Sequence, residues 1–160
     1  MSEPLNPYQT PDEVNGGPVW VEQDLPLFSR NQVLVATFFT SFIGGGLMMT
    51  LNESRLSRML PHRPNRAVTF AVLSVMSTLV YAVVAAVLPE NIPGLVFALG
   101  SLFAIYAFYN STQEELFRDH VLRGGSRVSN WVCLGLIVAC LVVTIGIVTG
   151  AVGVYLSLET

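Results

Sequence analysis

The sequence predicts an all-α protein: a four-helix transmembrane bundle behind a disordered N-terminal tail. Three observations predict it. Of 160 residues, 52% are hydrophobic and 12% charged, with a mean hydropathy of +0.57, whereas soluble domains run near a quarter charged. Four long stretches hold no ionisable residue. The basic residues, eight arginines and no lysine, gather mainly in two of the segments between those stretches. With a net charge of -3, the chain has no overall attraction for polyanions, and no nucleic-acid partner is expected.

Residues 1–32 read as an acidic, proline-rich tail. Pro4, Pro7, Pro11, Pro18 and Pro26 stand among five acids and a single Arg, a composition that favours an unstructured segment. The start, Met1-Ser2-Glu3-Pro4, has no basic region followed by an apolar one, so no cleavable leader is expected.

The first span is expected at 33–51, VLVATFFTSFIGGGLMMTL. A helix rises about 1.5 Å per residue, so roughly 20 residues cross a hydrocarbon core about 30 Å thick. The second span, 67–88, lies between Pro64 and Pro89. Proline breaks a helix from inside and so closes it from outside. The third, 92–109, opens on Asn91-Ile92-Pro93, a capping side chain followed by a first-turn proline. The turn Pro89-Glu90-Asn91 is short enough to make spans two and three antiparallel neighbours. The fourth, 131–158, is capped by Ser129 or Asn130. These runs hold more than half of the chain, too much apolar length for a soluble fold of this size to cover. They lack the polar alternation of barrel strands.

Between spans three and four, Ser111-Thr112-Gln113-Glu114 fits a capping box. Glu114 with Arg118, and Asp119 with Arg123, fit acid-to-base pairs four apart. A short amphipathic helix along the membrane surface is expected there, closed by Gly124-Gly125.

Arginines set the expected orientation. Arg55, Arg58, Arg63 and Arg66 occupy the first connection, and Arg118, Arg123 and Arg127 the third. Arg30 alone falls on the other side if all four runs cross. The positive-inside rule then puts both Arg-bearing loops in the cytoplasm and both termini outside it. The seven loop arginines are candidate topology anchors or lipid-headgroup contacts.

Candidate chemistry is sparse. No Asp, Glu, Lys, Arg or His lies inside any span as drawn, whereas such groups mark proton relays and intramembrane catalytic centres. His62 and His120 have no ligand partner at metal-binding spacing and are expected in solvent. Cys133 and Cys140 are seven residues and about 10 Å apart on one helix, beyond the roughly 7 Å that a disulfide spans. No cofactor, metal or catalytic group is expected. Small residues are the more informative pattern. Gly146-x-x-x-Gly150 in span four suits close helix packing, within the bundle or between copies. The triplet Gly44-Gly45-Gly46 costs about 1 kcal/mol per residue of helix propensity against Ala. It marks a hinge or a very close helix contact.

Phe42-Ile43-Gly44-Gly45-Gly46-Leu47, then Asn52, Arg55-Leu56 and Arg58, resembles the glycine-rich first span and Asn-x-x-Arg-Leu motif of small uncharacterised bacterial inner-membrane proteins. The likeness covers about twenty residues and departs at Glu53-Ser54, where that group often carries an aromatic. It implies a bacterial multipass protein and no particular activity. The expected function is a non-enzymatic interaction or structural subunit of a bacterial inner membrane. Its partners would be the bilayer and either other membrane proteins or further copies of itself. A small oligomeric channel or transporter, using the triplet and the hydroxyls of Thr37, Thr40 and Ser41, is the alternative.

Overall fold

A computed structural model of the chain describes residues 25–87 and 94–158. They form five helices: α1 Arg30–Met59, α2 Ala67–Val87, α3 Gly94–Thr112, α4 Glu114–Leu122 and α5 Asn130–Leu158. No strand occurs among the described residues; a single bridge joins Leu27 and Arg127. The chain is all-helical, and the second, third and fourth apolar runs become α2, α3 and α5 within about three residues of their expected ends. The expected proline turn at 89–91 and the tail as far as residue 24 lie outside the described residues.

The first apolar run is helical but does not form one straight span. Ser41 has φ 56° and ψ −143°, a conformation that glycine adopts readily and other residues rarely. The break divides α1 into an arm of residues 30–40 and an arm of residues 42–59. A straight helix would separate Phe28 from Asn52 by about 36 Å. Instead the Phe28 N–H donates to Asn52 Oδ1 at 2.7 Å, and Asn52 Nδ2 donates to the Phe28 carbonyl at 2.9 Å. Arg55 Nη1 likewise donates to the Pro26 carbonyl. The chain therefore turns back at Ser41, and the two arms lie antiparallel, side by side.

Glycine is what lets them touch. A Cβ on Gly44 would fall on the Thr40 hydroxyl and 3.3 Å from the Ala36 carbonyl; one on Gly45 would fall on the Thr37 hydroxyl and 3.4 Å from the Val33 carbonyl. Gly46 faces the other way, where a Cβ would overlap the Ser74 side chain of α2. The triplet is thus the seam of a helical hairpin and its contact with a neighbour, whereas the bend itself is three residues earlier. Gly45→Ala is expected to lower stability by about 2 kcal/mol, within the usual cost of overpacking, as read by SDS titration of the purified protein.

The hairpin is the centre of the molecule, and α2, α3 and α5 all pack on α1. Val33 and Ala36 of the first arm and Met48 and Met49 of the second meet Phe70, Ile105, Tyr109, Cys133 and Ile137 in one cluster. A smaller cluster of Leu27, Leu56, Met59 and Leu60 takes Leu116 and Phe117 of α4 beneath it.

Three local expectations are corrected. Residues 25–29, expected in the unstructured tail, are packed: Leu27 and Phe28 are fully buried. They are held by Leu27 N–H to the Ser126 carbonyl (3.2 Å) and Val128 N–H to the Leu27 carbonyl (3.0 Å). The capping box forms at Ser29 and Gln32, not at Ser111. Ser29 Oγ accepts from the Gln32 N–H at 3.4 Å, and Gln32 Oε1 accepts from the Ser29 N–H at 3.0 Å. Ser111 and Thr112 hydroxyls donate back to the Phe108 carbonyl, and α4 starts without a side-chain cap. His120, expected in solvent, is 4% exposed, with Nε2 3.1 Å from the Ser126 carbonyl. The cap of α5 agrees with expectation: Ser129 Oγ accepts from the Trp131 N–H.

Candidate functional site

The backbone of Phe28 threads the open end of the hairpin and organises a buried polar cluster there. Its N–H and C=O are both engaged by Asn52, and the carbonyl's second lone pair accepts from the Tyr109 hydroxyl at 3.1 Å. Asn52 also donates to Gln113 Oε1 at 3.3 Å, and Gln113 Nε2 donates to the Met49 carbonyl at 2.9 Å. Asn52, Tyr109 and Gln113 are each at most 1% exposed. Buried amides and hydroxyls are costly unless paired, and here they pair with one another and with the backbone. The cluster ties the segment before α1, both ends of the hairpin and the α3–α4 junction into one unit. Gln32 Nε2 extends the tie to α5 through the Val128 carbonyl and Asn130 Oδ1, both at 2.9 Å.

Beside it Glu53, with no exposed surface, receives a two-pronged bond from Arg63: Nε to Oε1 at 3.1 Å and Nη2 to Oε2 at 2.9 Å. The planar guanidinium matches both carboxylate oxygens at once. Arg63 Nη2 also reaches the Thr112 carbonyl at 3.4 Å. The loop after α1 is thereby pinned to the second arm and to the end of α3.

The arginines singled out from sequence divide accordingly. Arg55 and Arg63 are half-buried and engaged inside the fold, Arg55 also lying over the Phe28 ring at 5.3 Å. Arg58, Arg66, Arg118, Arg123 and Arg127 are exposed, with Arg127 5.7 Å over Phe117. Arg30, expected on the opposite side, lies 3.7 Å from Glu114. All eight arginines therefore sit at the open end of the hairpin. Gly44, Gly45 and Gly46 line contacts as described above. A Cβ at Gly146 would meet nothing within 4 Å, and the surroundings of Gly150 lie outside the described residues. Asn52 carries the cluster and stood in the sequence only as part of a motif. Tyr109, Gln113 and the Glu53–Arg63 pair were not singled out, because burial at a helix end has no signature in composition.

The hydroxyls near the bend are mostly spent on the helix itself. Thr37 and Thr40 donate to the Val33 and Ala36 carbonyls at 2.8 and 2.7 Å. Ser41 Oγ is buried without a partner. Cys133 and Cys140 are buried and free. Among the described residues, no group of three or more His, Cys, Asp or Glu side chains is placed to hold a metal. What the arrangement does chemically is join elements: a clamp of paired amides and one ion pair at the foot of a hairpin.

Among the described residues, two helices, Arg30–Met59 and Gly94–Thr112, are long and apolar enough to cross a membrane by length and composition, and the first of them is the one folded back at Ser41; α2 and α5 carry the shorter apolar stretches Ala67–Val80 and Asn130–Gly146. Comparison with protein families, with curated proteins and with solved structures finds no match to this chain.

Proposed function

We propose that this chain is an integral protein of a bacterial inner membrane, acting as a non-enzymatic interaction or structural subunit. In this reading the hairpin of α1 enters from the cytoplasmic side and returns to it. The observation that carries the proposal is the outward surface of the helices that surround the hairpin. Val68 (73%), Val83 (63%), Phe103 (74%) and Val142 (65%) head a series of exposed apolar side chains along α2, α3 and α5. The core helix of a soluble protein buries such residues. Here the polar groups turn inward and the apolar ones outward, the reverse of what water selects.

Two further features support it. Ser41 stands about 16 Å above Arg30 along the first arm and about 16 Å above the Asn52 cluster along the second, half of a hydrocarbon core about 30 Å thick and the dimension of a re-entrant segment. With the first run turning back, α2, α3 and α5 are left as three crossings, and every arginine falls on one side. The expected placement of both termini outside the cytoplasm is accordingly revised in this proposal: the N-terminal tail stays with the arginines in the cytoplasm, and α5 ends on the far side. The open surroundings of Gly135 and Gly146 on α5 leave a face of small residues for a membrane partner.

A single cysteine placed near residue 5 or at residue 160, in a chain with Cys133 and Cys140 replaced by Ala, tests the topology. An impermeant maleimide applied to spheroplasts should label the C-terminal cysteine only, and the N-terminal one only after lysis. Equal labelling of both from outside would restore four crossings and sink the hairpin topology.

One observation favours a channel or transporter instead. Non-helical backbone at membrane depth persists where protein or a water-filled cavity surrounds it, and broken helices build transporter sites. The strained Ser41, with its unpaired hydroxyl, fits that pattern. Solute flux through liposomes holding the purified protein, abolished by Ser41→Ala, would establish this second reading. Silent liposomes and co-purifying membrane proteins would favour the first.

A further inference from the structure

A cleft of about 280 Å³ opens between the second arm of α1, α2 and α3. Its walls are apolar, with Phe42 and Met49 from the arm, Phe70 and Leu73 from α2, and Ile105 and Phe108 from α3. Gly46 against Ser74 forms the floor. At the arginine-bearing end the Phe70 and Phe108 rings, 5.0 Å apart, narrow it. Leu73 is 46% exposed, so the cleft opens sideways onto the outward apolar face of α2. Arg66 lies one helical turn before Phe70. Arg66 immediately precedes α2 and its carbonyl accepts from the Phe70 N–H at 3.0 Å, which places it at the arginine-bearing end, next below Phe70, while Phe70 and Leu73, three apart, share the wall of the cleft. Arg66 is exposed, and the two ion pairs seen among the described residues engage Arg30 and Arg63 instead.

From this placement we infer that the cleft takes one acyl chain of an anionic phospholipid, whose phosphate is held at Arg66. The inference rests on the membrane reading above. Size excludes a helix as occupant. From Phe42 to Met49 the cleft runs about 10 Å, fewer than two turns of a helix that is itself about 10–12 Å across. A flexible hydrocarbon chain fits a narrow, apolar slot that is open along one side. The exposed Arg66 cation, at headgroup level, favours an anionic phosphodiester over a zwitterionic one, whose own ammonium cancels the attraction.

The protein in nanodiscs, doped with phosphatidylglycerol or phosphatidylcholine carrying a photoactivatable acyl chain, tests this by mapping crosslinked residues. Phosphatidylglycerol should label Phe42, Met49 and Phe70 at least fivefold more than phosphatidylcholine does. Both lipids should label the outward Val72 and Phe103 equally. Arg66→Gln should abolish the fivefold preference, and Ser77→Leu, which fills the cleft, should remove its labelling while leaving Val72 and Phe103 labelled. Cleft labelling no stronger than that of the outward residues, or equal for the two lipids, would overturn the site. Absence of label from Val72 and Phe103 as well would overturn the membrane reading itself.

Discussion

Replacing Arg63 with Met is expected to destabilise the protein by about 3–5 kcal/mol, the cost of leaving one member of a buried ion pair behind. Glu53 has no exposed surface, and both of its oxygens are bonded by the one guanidinium. With Arg63 gone, the carboxylate keeps its desolvation cost and loses its compensation. Arg63 also holds the Thr112 carbonyl, so the loss loosens the foot of α3 as well. The double variant Glu53→Leu/Arg63→Met is expected to lie within about 1 kcal/mol of the parent, since apolar side chains of similar size often replace a buried pair without loss. SDS titration followed by circular dichroism measures all three proteins. If Arg63→Met and the double variant fall equally, the pair is not what holds the loop. The comparison separates packing from charge, which the single variant does not.

Sequence reasoning worked where a single physical variable decides the outcome. The ends of α2, α3 and α5 follow from uninterrupted apolar runs stopped by proline, arginine or a capping serine, so a count of ionisable residues finds them. The hairpin was missed because hydropathy carries no direction. A run of nineteen apolar residues that crosses and one that turns back halfway have the same composition, and the turn at Ser41 uses neither proline nor charge. A trace of it does stand in the sequence. Thr37 and Thr40 before the bend are answered by Gly44 and Gly45 after it, small residues mirrored about Ser41, as a seam between antiparallel arms requires. The pattern Ser29-x-x-Gln32 likewise marks the helix start at Arg30, whereas Ser111-x-x-Glu114, the expected box of α4, forms no cap. That second motif fails for a tertiary reason. Gln113 is drawn into the cluster with Asn52 and Met49, and its burial sets the geometry of the α3–α4 junction. His120 is buried by a loop whose path no local spacing encodes.

Asn52→Leu is expected to cost about 4 kcal/mol, with its largest structural effect 24 residues away. The substitution keeps the approximate volume and removes three hydrogen bonds. The Phe28 carbonyl retains Tyr109, but the Phe28 N–H and Gln113 Oε1 are left buried and unpaired, at about 1–3 kcal/mol each. Returning these groups to water is the cheapest relief available, so residues 25–29 should leave the cluster. Amide hydrogen exchange at Leu27 and Phe28 should then rise at least a hundredfold, while exchange in α2 and in the middle of α5 changes little. An Asn52→Asp variant separates the two roles of the side chain. The carboxylate still accepts from the Phe28 N–H, but it has no N–H to offer the Phe28 carbonyl or Gln113. Its cost should therefore exceed that of a lost hydrogen bond alone, because a negative charge then faces two acceptor oxygens. Slow exchange at Phe28 in the Leu variant would mean that residues 25–29 are held by their contacts with Ser126, Val128, Tyr109 and Arg55, and that Asn52 is not the clamp.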